Sequence, residues 1–185
     1  MVAYVQMQYR MKGEYMIATT FDFYKAAQAY AVRFDDLAAH TLKLHGQITP
    51  DHICYKCGTH ESFERMLRLF EPEAVRDVSI ISGRTIAYIE LTRWVESLMG
   101  PIHYLELADQ KPDGSQQEGF DHIESYPEDM RYEDLIALLE AAGQNVTEKV
   151  RPHHTTHEIK VADDFSFVCT REPLIDKINR EKSVK

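Results

Sequence analysis

Two hydrophobic periods alternate along this chain. Over 21–44, Phe23, Ala26, Ala27, Tyr30, Phe34, Leu37 and Leu44 recur at helical spacing. Thr19 and Thr20 offer N-caps, and Gly46 supplies the closing residue. The period then shortens to that of strands. Strand-like runs are predicted at 52–57, 75–81, 84–91 and 102–107, and again at 120–125, 146–151, 158–161 and 165–170. An amphipathic helix interrupts each set. The first spans 61–70, with Phe63, Met66, Leu67 and Phe70 on one face, and the second spans 132–142 and stops at Gly143. Ser82-Gly83 marks a hairpin, 111–115 (Lys-Pro-Asp-Gly-Ser) marks a turn between the two sets, and a polar helix over 172–182 ends the chain. The order strand, helix, three strands therefore occurs twice. It predicts an α+β fold of two βαβββ modules, 48–110 and 111–185, with an added helix over 19–47 and an N-terminal extension over 1–18.

The repeat extends to individual residues. Asp51-His52-Ile53 and Asp121-His122-Ile123 each head the first strand of a module, 70 positions apart. A histidine at the same place in both copies points to a pseudo-twofold site shared by the two halves. Side chains alternate along a strand, so His52, Cys54 and Lys56 share one face, His122 and Glu124 share another, and Tyr104 and Glu106 share a third. Buried ionisable groups are costly unless paired or metal-bound. If the faces carrying His52, Glu106 and His122 converge, two imidazoles and one carboxylate meet. That set suits a divalent metal ion such as Zn, Ni or Fe. Glu124 and Tyr104 then stand as a base, a further ligand or groups that orient the ligands.

Composition narrows the partners. A net charge of −9 without a basic stripe argues against nucleic acid. No apolar run reaches the ~18 residues that a membrane span needs, and no secretory signal is evident. Three cysteines suit a reducing cytoplasm, so a cytoplasmic protein acting on a small-molecule ligand, as a monomer or homodimer, is expected. Cys54 and Cys57 form a CxxC, but on a strand they point to opposite faces, which disfavours a zinc knuckle or redox pair. The cluster from His153 to Glu158 falls at a hairpin turn and reads as a solvated patch, with His157 placed to line the mouth of a site if the hairpin folds over it. Arg84 and Lys56 are candidates to bind an anionic substrate. Phosphate-loop, dinucleotide, serine-hydrolase and H-E-x-x-H motifs are absent.

Several phrases resemble the YecM family of the vicinal oxygen chelate superfamily, which includes glyoxalase I and extradiol dioxygenases. They are Asp51-His52-Ile53, Gly83-Arg84-Thr85-Ile86, Glu106-Leu107, Glu118-Gly119-Phe120-Asp121-His122-Ile123-Glu124 and His157-Glu158. The resemblance spans about residues 20–180 and implies a curved mixed β-sheet cup. It also implies one metal ligand from the first strand and one from the fourth strand of each module: His52, Glu106 and His122. The last strand has no carboxylate in clear register with Glu106. Cys169 stands nearest, Glu172 lies just beyond, and water is the remaining choice for a fourth ligand. The expected activity is isomerase, lyase or dioxygenase chemistry on an oxygen-chelating anion, with Glu124 or Glu172 moving a proton. The competing readings are a non-catalytic small-molecule-binding cup and a fold whose histidines are structural.

Overall fold

The computed structural model describes residues 17–151 and 154–183. The predicted extension falls largely outside these residues, as does His153 of the histidine cluster. Helix α1 (Thr20–Asp35) begins at Thr19, whose side chain and Asp22 form a reciprocal capping box. It continues as a wide π-helical segment, Asp36–Thr41, and so stops short of Leu44, which is buried in the core. The first module comprises β1 (Ile48–Lys56), α2 (His60–Leu69), β2 (Ala74–Ile81), β3 (Arg84–Val95) and β4 (Ile102–Ala108). The second comprises β5 (Gly119–Pro127), α3 (Tyr132–Ala141), β6 (Val146–Arg151), β7 (His154–Ala162) and β8 (Phe165–Cys169). Helix α4 (Leu174–Ser183) follows.

All eight strands join one sheet in the order β2-β3-β4-β1-β5-β8-β7-β6. Each half reads the same way outward from the centre, and the two first strands meet there as an antiparallel pair. β1 is parallel to β4, and β5 is parallel to β8. The two βαβββ modules are those that the sequence pattern predicts, and the mixed sheet is the one that the family resemblance implies.

One face of the sheet packs on α1, α2 and α3. Ile53, Tyr55, Leu105, Leu107, Ile123, Phe165 and Phe167 meet helix residues such as Phe23, Phe34, Phe63, Met66, Leu135 and Leu139 in a single core. The added helix α1 ties the modules together. Its Tyr30 ring contacts both Phe120 and Phe165, Phe23 contacts Phe120, and Phe34 contacts Phe167. Burial of these aromatic side chains is the dominant stabilising term for that face. The opposite face is left to carry polar side chains.

A candidate metal centre at the seam of the two modules

The pairing of β1 with β5 contains two irregularities. Pro50 pairs with Ser125 and His52 with Glu124, which leaves Asp51 as an extra residue. Cys54 pairs with His122 and Tyr55 with Phe120, which leaves Asp121 as an extra residue. Each module thus has a β-bulge at the aspartate preceding its histidine. A bulge re-aims a side chain that regular alternation would send to the other face. Here it turns both aspartates toward their neighbouring imidazoles. His52 Nδ1 lies 2.6 Å from Asp51 Oδ2, and His122 Nδ1 lies 2.8 Å from Asp121 Oδ2. With Nδ1–H donated to a carboxylate, each Nε2 is left to face the site, the arrangement typical of metal-ligating histidines.

Three donors converge. Ligand atoms of His52, His122 and Glu124 all lie within 4.8 Å of one another. Glu106 completes a fourth corner, its Oε2 3.7 Å from His52 Nε2. The Cys54 thiol donates to Glu106 Oε1 at 3.2 Å and holds that carboxylate in place. Cys54, Asp121 and His122 form a second, overlapping trio of potential donors. Asp51 also accepts from Tyr88 Oη at 3.2 Å, and Tyr88 stacks on Tyr104, so two tyrosines wall the His52 side.

The electrostatics call for a cation. Four carboxylates, Asp51, Glu106, Asp121 and Glu124, lie around the two imidazoles, and Lys56 Nζ is 2.5 Å from Asp121. Burial alone disfavours a charged His52. The hydrogen bond to Asp51 and the fields of Glu124, Asp51 and Glu106 outweigh it and push its pKa up to about 9. Glu106 is held below the usual carboxylate range: burial opposes this, but His52, His122 and the Cys54 hydrogen bond prevail. Burial pushes the Cys54 thiol well up, so it remains an S–H donor. His52 Nε2 is buried and has no hydrogen-bond partner among the described residues. An orphaned imidazole nitrogen surrounded by carboxylates fits a divalent ion of the Zn, Ni or Fe kind.

The remaining candidates fall elsewhere. In the β5–β8 register His122 pairs with Ser166 and Glu124 with Val168. Since Cys54 pairs with Glu106 on the other side, the counterpart of Glu106 is Val168, not Cys169. Cys169 lies on the helix face, where it is one residue out of phase. Glu172 is half-buried at the rim and bonds to Arg180, outside the group of donors. His157 pairs with Cys169 and so also occupies the helix face, where its Nδ1 lies 2.8 Å from Tyr132 Oη. It does not line the site. Arg84 is on the site face but four residues along β3 from Tyr88, with guanidinium atoms Nε and Nη1 buried and unpartnered. Asp51, Asp121 and Tyr88 are site residues that strand alternation does not find. The two aspartates were nevertheless visible within the repeated Asp-His-Ile phrase.

A solved structure described as Structural Genomics, Protein EC4020 aligns with a TM-score of 0.66 at 21% identity, covering 85% of this chain and 91% of that one. A variant of methylmalonyl-CoA epimerase from Streptomyces coelicolor, in complex with 2-nitronate-propionyl-CoA, aligns at 0.47 and 16% identity, over 68% and 99% of the two chains. Homoprotocatechuate 2,3-dioxygenase from Arthrobacter globiformis aligns at 0.44 and 9% identity, over 72% and 40%. No curated protein matches the chain significantly. Among the described residues no helix is long and apolar enough to cross a membrane. The family model for the YecM protein matches residues 22–163, and the chain belongs to the YecM family.

Proposed function

We propose that this protein is a metal-dependent enzyme of the vicinal oxygen chelate type, acting on a small anion that presents two neighbouring oxygens. The observation that carries this reading is the pair of bulged Asp–His units aimed at one point between Glu106 and Glu124. His52, His122 and Glu124 would hold the ion. Bound there, a divalent metal supplies Lewis-acid stabilisation of negative charge developing on a substrate oxygen.

The other residues act in their own right. Asp51 and Asp121 fix the ring orientations of the two histidines. Glu106 is ionised and partly open to solvent, its side chain 19% exposed, and is the group placed to take and return a substrate proton. This assigns Glu124 as ligand and Glu106 as base, whereas the resemblance implies Glu106 as a ligand and the sequence reading expects Glu124 or Glu172 to move the proton. Tyr88 and Tyr104 exclude water from the His52 side. Isomerase or lyase chemistry follows with a redox-silent ion, and oxygenase chemistry requires Fe. The donor set favours this over a cup that merely holds a ligand, because hydrogen bonding alone leaves His52 Nε2 unsatisfied.

The test is metal content by mass spectrometry after reconstitution with Zn²⁺, Ni²⁺ and Fe²⁺. One equivalent is expected in the parent and in Glu106→Gln. Less than about a tenth is expected in His52→Ala/His122→Ala, and a loss of affinity of ~10–100-fold in Glu124→Gln. A parent chain that takes up none of the three metals sinks the proposal. Equal metal in Glu106→Gln and Glu124→Gln removes the assignment of roles.

A further inference from the structure

Exposure across the site is uneven. The side chains of Asp51 and His52 are 2% and 1% exposed, whereas those of His122, Glu106, Asp121 and Lys56 are 14%, 19%, 23% and 24% exposed. These residues share one sheet face, and neighbours differ by a single row, so the sheet itself does not cause the gradient. Its source is α4. The backbone N–H of Leu174, the first residue of α4, donates to Asp51 Oδ1 at 3.3 Å, while Oδ2 of the same carboxylate holds His52 and Tyr88. At its other end, Lys182 Nζ lies 3.3 Å from Asp77 Oδ1 and also bonds to the carbonyl of Arg76 on β2. The helix leaves the second module after β8 and ends on the edge strand of the first.

We propose that α4 is a strap which closes the His52 side of the site and must lift before a solute reaches His52 Nε2. This rests on His52 being a binding group, as argued under the proposed function. Asp51 links the two: its charge meets the positive end of the α4 dipole and, at the same time, orients the imidazole. The strap is lightly fastened. Ile178 is its one fully buried side chain among the described residues, and the Lys182–Asp77 pair is a partly exposed ion pair of the weak kind. A terminal helix with a single fully buried side chain opens more readily than the sheet beneath it.

The strap is testable without metal. Leu174→Pro removes the N–H that Asp51 accepts, at a first helical position where proline is tolerated. Lys182→Glu breaks the far tether, and a chain ending at Pro173 deletes the strap. Metal-free full-length protein and the three variants, each shown folded by circular dichroism, are treated with diethylpyrocarbonate at pH 8. Modification of each histidine is mapped by mass spectrometry, with exposed His60 as internal standard. In the parent, His52 should react at least about a hundredfold more slowly than His122, beyond the roughly tenfold that its raised pKa alone gives at pH 8. In each variant, His52 modification should rise about tenfold or more, with His122 changing less than twofold. His52 reacting as fast as His122 in the parent overturns the proposal, as does His52 remaining protected in the truncated chain. Failure of the protein to bind metal removes the enzymatic reading but leaves this readout intact, so the two failures are distinguishable.

Discussion

The two modules share a backbone plan but not a ligand plan. Both place a bulged aspartate beside a histidine at the start of the first strand, and both carry that strand parallel to the module's fourth. On the fourth strands they diverge: β4 offers Tyr104 and Glu106 to the site, while β8 offers Ser166 and Val168 at the matching positions. Two residues past each histidine they diverge again, with Cys54 in the first module and Glu124 in the second. The carboxylates therefore come from non-equivalent strands. The repeat supplies the paired imidazoles, and the positions at which the two copies differ choose which carboxylates meet them. The modules differ in enclosure too, since α4 seals the His52 half and leaves the His122 half open.

Breaking the shared element should show this inequality most strongly. Asp51 is buried and serves His52, Tyr88 and the start of α4, whereas Asp121 is partly exposed and serves His122 and Lys56. Removing one partner of a buried charged pair costs about 3–5 kcal/mol. Asp51→Ala is expected to lose that much in urea unfolding of the metal-free protein. Asp121→Ala should lose about 1.5–3 kcal/mol, the range for a hydrogen bond to a charged group. Equal losses at the two positions would contradict the asymmetry.

Protonation of His52 gives the next largest effect. Its folded pKa of about 9 stands above the unfolded value of 6.5. The folded state therefore binds the proton more tightly, and the associated stability is complete below pH 6.5 and lost as pH rises through 9. At 1.36 kcal/mol per unit, the loss is about 3 kcal/mol. Metal-free protein held in chelator should show this decline between pH 6.5 and 9.5, and His52→Gln should flatten it. A decline that persists in His52→Gln would assign it to another group.

The same inequality explains what the sequence disclosed. The repeated βαβββ order follows from local periodicity, because the period of each apolar run depends on the element's own backbone. The paired histidines were equally legible, since regular alternation places them correctly. The aspartates were not, because Asp51 and His52 are adjacent and alternation puts them on opposite faces. Only the β1–β5 register, a property of two strands 70 positions apart, creates the bulges that bring each pair together. Register also decided Cys169 and His157: a shift of one residue exchanges site face for helix face, and both fall on the helix face. The polar pattern of α4 announced a helix but carried no sign that it crosses to the other module, since its anchors on Asp51 and Asp77 exist only in the assembled sheet.

The smallest effect should come from the thiol. Cys54 stands where the second module has Glu124, and its thiol donates to Glu106. Cys54→Ala removes that donor and should cost about 1 kcal/mol, the net worth of an ordinary hydrogen bond. Cys54→Ser keeps an O–H donor and should recover most of it. The pH dependence separates this from a simple packing loss. Glu106 has a folded pKa below its unfolded 4.5, so its contribution is present above 4.5 and lost as pH falls through the folded value. Without the Cys54 donor that folded value rises toward 4.5 and the acid-linked loss shrinks. Acid unfolding curves of parent, Ala and Ser variants should therefore diverge below pH 4.5, with Ser near the parent. Parallel curves for all three would mean that Cys54 fills space and leaves Glu106 to its histidines.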